Sequence, residues 1–175
     1  PIIVGKSDTR MHRKILFEDT FEQTLEEFSD YEWAIVSGCT YWGRVNSAER
    51  QSKLYALIFD LDSVDPENVV NFFSGARFGL YPYPNYVVES GHGLHLYYVL
   101  EEPVDLYPNI KTQLKELKYH LTKILWNRYT SSEDKIQFQG INQGFRIPQG
   151  RTKIAGVRAQ AWRFSSTPTT IEALN

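Results

Sequence analysis

The sequence predicts an α+β sandwich in which helices cover one face of a largely antiparallel sheet and leave the other face available. Three observations carry that prediction. Two extended, β-rich runs, Trp33 to Trp42 and Lys53 to Asp62, flank a polar turn. A second strand pair, Tyr86 to Ser90 and Leu94 to Leu100, flanks a glycine-rich turn. Between and after these pairs lie stretches whose apolar residues recur at helical spacing. The chain has 175 residues, 42% of them hydrophobic, enough for one core and one compact unit.

Taken in order, a first helix is expected from about Thr20, where Thr20 and Gln23 resemble a capping box and Phe21, Leu25 and Phe28 share a face. The runs Trp33–Trp42 and Lys53–Asp62 are expected to pair through the turn around Asn46 to Arg50. A short helix should begin after Asp65, a good N-cap, with Pro66 at its first position. The hairpin around Ser90-Gly91-His92-Gly93 follows. The longest helix is expected from about Leu106 to Tyr129, carried by Ile110, Leu114, Leu117, Leu121 and Ile124. Short strands and loops complete the chain.

Composition narrows the function classes. No run approaches the roughly 20 apolar residues that span a bilayer, and there is no secretory-signal pattern, so a soluble cytoplasmic protein without a membrane partner is expected. A single cysteine, Cys39, excludes an internal disulfide and any zinc site built on several cysteines of this chain. The net charge of -2 conceals a segregation. Residues 1–134 carry 13 Lys/Arg against 20 Asp/Glu, whereas the remainder carries Lys135, Arg146, Arg151, Lys153, Arg158 and Arg163 against Glu172 alone. A phosphate-binding region beside an acidic one would have this distribution. The opening Pro1 and the polar Ser165-Ser166-Thr167-Pro168-Thr169-Thr170 ending suggest a single domain, 1–175, excised from a longer protein.

The sharpest local signal is Tyr55-Ala56-Leu57-Ile58-Phe59-Asp60-Leu61-Asp62, an apolar strand that ends in two carboxylates one residue apart. Alternation puts Asp60 and Asp62 on one face, roughly 6.6 Å apart along the strand. Ala56 and Ile58 precede them on that face, which is therefore partly covered. Two such carboxylates suit a pair of hard divalent cations, Mg2+ or Mn2+, of the kind that clamp attacking and leaving oxygens in phosphoryl transfer.

Next, Ser90-Gly91-His92-Gly93-Leu94-His95 combines a turn whose glycines, Gly91 and Gly93, let backbone N–H groups approach a phosphate with a histidine, His95, placed to donate to a triphosphate oxygen. His92, at the turn itself, is expected to be merely exposed. Finally, Asn142 to Lys153 alternates basic residues with glycine and proline. Arg146 offers a planar fork for a phosphate and Lys153 a point charge. Each segment alone has a plain structural explanation, namely an edge-strand terminus, a tight turn and a surface loop.

In this order the three segments resemble the archaeo-eukaryotic primase superfamily, especially the primase-polymerases of plasmids, phages and other mobile elements. Members show a D-x-D or D-x-E strand end, then S-G-x-G-x-H and aromatic strand residues, then an R-x-P-G-like segment leading to a lysine. Ile35-Val36-Ser37 to Tyr41-Trp42-Gly43-Arg44 also looks like the strand upstream of the acidic motif in plasmid members, so the likeness covers residues 33–153.

The resemblance implies a fold related to the RNA-recognition-motif sandwich, with the active site on the open sheet face. It implies catalytic metals on Asp60 and Asp62, nucleotide phosphates at Ser90 and His95, and a pocket completed by Arg146 and Lys153. It also implies a third metal-binding acid upstream of the arginine. Asp134 is the candidate, with Glu133 as its neighbour. This chain departs from the pattern in Arg146-Ile147-Pro148-Gln149-Gly150, where Gln149 separates proline from glycine.

The expected activity is template-dependent nucleotidyl transfer: a primer 3′-hydroxyl, or a first nucleotide, attacks the α-phosphate of an NTP or dNTP with single-stranded DNA as template. Trp42, Tyr97 or Trp162 could stack on bases. A fused or associated helicase, replication or CRISPR module is the expected wider partner. Two other classes fit parts of the pattern. A rolling-circle initiator or relaxase would use histidines on a sheet and a tyrosine nucleophile, but His92 and His95 are three apart and in a strand would face opposite sides. A non-catalytic nucleic-acid-binding module of the same fold would lack turnover.

Overall fold

The computed structural model describes residues 2–175. Among the described residues nine strands build two antiparallel sheets: β1 Ile2–Ser7, β2 Arg10–Ile15, β3 Trp33–Ser37, β4 Cys39–Tyr41, β5 Gln51–Asp62, β6 Tyr86–Glu89, β7 Gly93–Asp105, β8 Gly144–Arg146 and β9 Gln160–Arg163. Helices α1 Phe21–Ser29, α2 Pro66–Arg77, α3 Pro108–Leu125 and α4 Ile171–Leu174 complete them. One sheet has the order β2-β1-β3-β8 and the other β4-β5-β7-β6-β9. The α+β class holds, with two sheets where a single sheet was expected.

The larger sheet is built on β5 and β7, whose long alternating runs pair from Lys53↔Asp105 to Asp62↔Gly93. Leu57, Phe59 and Leu61 of β5 and Leu94, Leu96 and Tyr98 of β7 all face one side. There they meet Phe72 of α2 and Leu114, Leu117, Leu121 and Leu125 of α3 in the main core. The leucine spacing that predicts α3 is thus the spacing of its buried stripe. Burying these side chains, at about 25 cal/mol per Å2 of apolar surface, is the principal source of stability. A smaller core joins Phe28 of α1 to Ile3, Ala34 and Ile147 beneath the second sheet.

Three local expectations change. The run Trp33–Trp42 is not one strand: at Gly38 it leaves one sheet as β3 and enters the other as β4. A Cβ on Gly38 would lie 2.2 Å from the Ala56 carbonyl oxygen, so only glycine lets the chain cross β5 so closely. Of this run only the β4 part pairs with β5, through Cys39↔Leu54 and Tyr41↔Gln51. The Thr20 capping box does not form, because Thr20 ends a 3-10 turn with ψ near 7° instead of the extended backbone that aims an N-cap side chain at N3. The β1–β2 hairpin was not expected at all, since Arg10-Met11-His12-Arg13-Lys14-Ile15 is mostly exposed and lacks apolar alternation.

Elsewhere the sequence signals correspond to structure. Asp65 caps α2 in a reciprocal box with Asn68, and Pro66 sits at its first turn. The β6–β7 hairpin closes through Ser90 to Gly93. α3 is shorter than expected, ending at Leu125; beyond it Asn127 N–H donates to the Thr130 hydroxyl and Thr130 Oγ1 to the Leu125 carbonyl. Among the described residues no helix is long and apolar enough to cross a membrane.

Candidate active site

β5 brings Asp60 and Asp62 to the face opposite the helices, and the β5–β7 register sets His95 directly across from Asp60 and Gly93 across from Asp62. Glycine at 93 has a steric cause: a Cβ there would lie 2.2 Å from the Leu61 carbonyl oxygen. It also leaves the space opposite Asp62 free of a side chain. The sheet face at this end is not open. The second sheet folds over it, and a cleft of about 250 Å3 is lined by Trp33 and Ile35 of β3, by Gly144, Phe145 and Arg146 of β8, and by Asp60, Asp62, Ser90, His92, His95 and Lys153. β8 reaches this position because it pairs with β3 through Ile35↔Arg146 and Val36↔Phe145.

Most of the residues singled out by sequence therefore converge, and some take other positions. Asp60, Asp62, Ser90, His95, Arg146 and Lys153 share one cleft. Gly91 and Gly93 do not line it. They shape the turn, Gly91 with φ +105°, and border a separate, largely apolar cavity with Val64, Val69, Phe73, Trp162 and Phe164. His92 is exposed and also lines the cleft, because it belongs to the turn and strand alternation does not govern it.

Asp134 is exposed and does not line the cleft. The three residues just before it are tied down: Ser131 Oγ donates to the Asp62 carbonyl at 2.6 Å, Ser132 Oγ to the Ser63 carbonyl at 2.6 Å, and Trp126 Nε1 to the Glu133 carbonyl at 2.8 Å. The Glu133 carboxylate accepts from the Lys135 amide and does not line the cleft either. Of the candidate stacking residues, Trp42 is exposed, Trp162 lies on edge strand β9, and the Tyr97 hydroxyl is fully buried without a partner.

The electrostatics are those of a cleft whose cations only partly compensate the burial of its acids. Burial, followed by the neighbouring Asp62 charge, pushes Asp60 up to about 7, with Lys153 and Lys118 acting in the opposite direction. Burial, followed by the Arg146 charge, holds His95 down at about 4. His95 Nε2 stands 3.4 Å from Asp60 Oδ1, a distance that would pass for an ion pair. With the imidazole neutral above about pH 4, it is not one at neutral pH. Asp60 Oδ1 is a buried acceptor without a hydrogen-bond partner, and His95 Nδ1 is likewise unpartnered.

A buried, unsatisfied carboxylate oxygen beside a second carboxylate is a fitting donor set for a hard divalent cation. Asp60 and Asp62 could hold it. Among the described residues no group of three or more His, Cys, Asp or Glu side chains is arranged to bind a metal, so further coordination would come from substrate oxygens and water. Arg146 is pre-oriented, with Nη1 donating to the Arg151 carbonyl at 2.7 Å, which leaves its remaining N–H groups for an anion. Arg158 has a structural task instead, pairing with Asp30 at 2.8 Å and bonding the Ser29 and Gln149 carbonyls. Gln149 takes φ +61° in the turn that Gly150 N–H closes onto the Ile147 carbonyl, so the inserted residue occupies a left-handed position usually given to glycine.

Sequence reasoning missed Trp33, Ile35, Gly144 and Phe145 as cleft residues. Gly144-Phe145-Arg146 is too short for a strand signal, and its pairing with β3 joins distant parts of the chain.

No family model and no curated protein matches the chain by sequence. Among solved structures, the AEP domain of the cyanophage S-2L primase-polymerase (PrimPol) superimposes with a TM-score of 0.63 at 13% identity, over 99% of this chain and 88% of that one. The two share a fold.

Proposed function

We propose that this chain is a primase-polymerase catalytic domain of the archaeo-eukaryotic primase superfamily, transferring nucleotides to a 3′-hydroxyl on a single-stranded DNA template. The observation that carries this reading is the cleft itself. Two carboxylates, Asp60 and Asp62, with His95 beside them on the same sheet, share one space with Arg146 and Lys153, in a fold shared with a primase-polymerase domain. Acids on one wall and cations on the other suit a metal-bound triphosphate, which carries both signs of charge.

Bound Mg2+ or Mn2+ would supply Lewis-acid stabilisation of the phosphate oxygens. The chain's own residues do the rest. Asp60 and Asp62 hold the cations from β5, Arg146 grips a phosphate with its fork, and Lys153 adds a point charge at the rim. His95, neutral at working pH, donates a hydrogen bond to a triphosphate oxygen. Ser90 lies close enough to the cleft to contact the same group, although in the free protein its hydroxyl donates to the Gly93 carbonyl. Exposed Arg151 and Arg163 extend the basic surface towards a template strand.

A nicking enzyme would need a nucleophilic tyrosine beside the histidines. Among the described residues no tyrosine lines the cleft, even though His92 and His95 both do. The test is incorporation of labelled nucleotides on unprimed and primed single-stranded DNA, with Mn2+, Mg2+ or chelator. Metal-dependent, template-directed synthesis is expected, and Asp60→Ala/Asp62→Ala should reduce it by about 10^3-fold or more. Synthesis retained in that double variant, or a covalent protein–DNA adduct instead of synthesis, would overturn the proposal.

A further inference from the structure

Lys118 lies on the apolar stripe of α3, one turn from Leu114 and from Leu121, where a lysine has no evident reason to be. It is 1% exposed. A buried ammonium normally faces a carboxylate, because removing the charge from water is otherwise costly. Lys118 has no such partner among the described residues: its Nζ donates to the Gly140 carbonyl at 3.0 Å, and none of their carboxylates lies within ion-pairing distance. What surrounds it is aromatic. Nζ stands over the Phe59 ring at 5.6 Å from the centroid and over the Phe145 ring at 5.4 Å. Two ring faces and one carbonyl replace part of the lost hydration. Burial pulls the amine down to about 8, so it is still a cation at neutral pH.

The neighbours of these contacts give the arrangement its meaning. Phe59 immediately precedes Asp60, and Phe145 immediately precedes Arg146. The Phe145 ring also meets the His95 ring edge-on, with centroids 5.3 Å apart. β8 has three residues, lies at the end of its sheet and is paired on one side only. Its approach, residues 140–142, is pinned by Lys118, by the Cys39 thiol donating to the Ile141 carbonyl and by the Tyr41 hydroxyl donating to the Asn142 carbonyl. Lys118 is the only one of these three that also holds the ring next to Arg146.

We infer that Lys118 is a positioning residue: a buried cation on α3 that ties β8 to β5 through Phe145, Phe59 and the Gly140 carbonyl, and so fixes Arg146 opposite the acid pair. The structural half of this inference stands on contacts alone, and the functional half rests on the triphosphate reading of the cleft.

The experiment uses Lys118→Met, which keeps the length of the stem and removes the charge, with hydrogen exchange and nucleotide binding as readouts. Amide protection across 144–146 should fall by about tenfold while that of the remote β1–β2 hairpin is unchanged. Affinity for a Mn2+-loaded nonhydrolysable nucleoside triphosphate, measured by calorimetry, should fall by about tenfold in Lys118→Met. In an Arg146→Ala background the same change should cost less than about twofold, because its effect passes through Arg146.

Unchanged protection at 144–146, a loss spread evenly over the whole molecule, or full additivity with Arg146→Ala would overturn the inference. Should Lys118→Met not fold, Phe145→Leu, which removes one ring from the cation, must produce the same local loss of protection. If the unaltered protein binds no nucleotide, the proposed function falls, and the exchange data still decide the role of Lys118.

Discussion

Burial places opposite demands on the two residues that face each other across β5 and β7. Asp60 is pushed up to about 7 and His95 down to about 4, so each favours its neutral form. The consequences for stability have opposite signs. For Asp60 the folded value lies above the ordinary 3.8, so its contribution is complete below about pH 4 and is lost as pH rises through about 7. For His95 the folded value lies below 6.5, so its contribution is present above that pH and is lost as pH falls through about 4. In chelator, Asp60→Asn should therefore make the protein more stable than the parent at pH 8, by on the order of 2–4 kcal/mol, and bring little change at pH 4. Urea melts at the two pH values measure this, and a destabilised Asn variant at pH 8 would contradict it. Much of this was legible in residue types: the D-x-D strand end and the histidine two residues beyond Gly93 are visible in the sequence. That Asp60 Oδ1 is buried without a partner was not, because it depends on the second sheet closing over the strand.

Among the elements, β5 carries the site and the β3–β4 junction shapes it. Ala56 and Ile58 on the acid face foretold that the strand would be covered, and Ile58 is 3% exposed. What covers it could not be read, since Trp33–Trp42 has a continuous strand signal through Gly38, and a glycine within a strand does not announce which carbonyl it passes. Gly38→Ala should destabilise the fold by about 3 kcal/mol or more, because its Cβ would meet backbone at 2.2 Å and not a side chain able to move aside. Gly79→Ala is the control: its φ of +77° is strained for alanine but nothing lies within 4 Å, so about 1 kcal/mol is expected. Thermal melts of the two variants give the comparison, and equal losses would mean that the crossing at Gly38 is looser than described. The loop bearing Asp134 illustrates the opposite error. An acid in the right sequence interval is held outside the cleft by Trp126 and, above all, by Ser131 and Ser132, whose contacts to Asp62 and Ser63 span distant segments and leave no local trace.

For the molecule as a whole, the two sheets act as jaws. The larger sheet contributes the acids and His95, the smaller contributes Arg146, and the basic tail contributes Lys153. The charge segregation along the chain thus becomes a separation across one cleft, although part of the basic tail, Arg158 above all, is engaged in holding the fold together. The most direct test of this arrangement is a crystal structure with Mn2+ and a nonhydrolysable nucleoside triphosphate. An anomalous peak about 2–2.5 Å from carboxylate oxygens of both Asp60 and Asp62 is predicted, with the triphosphate reaching His95, Arg146 and Lys153. A cation bound elsewhere, or a triphosphate seated away from Arg146, would contradict the account.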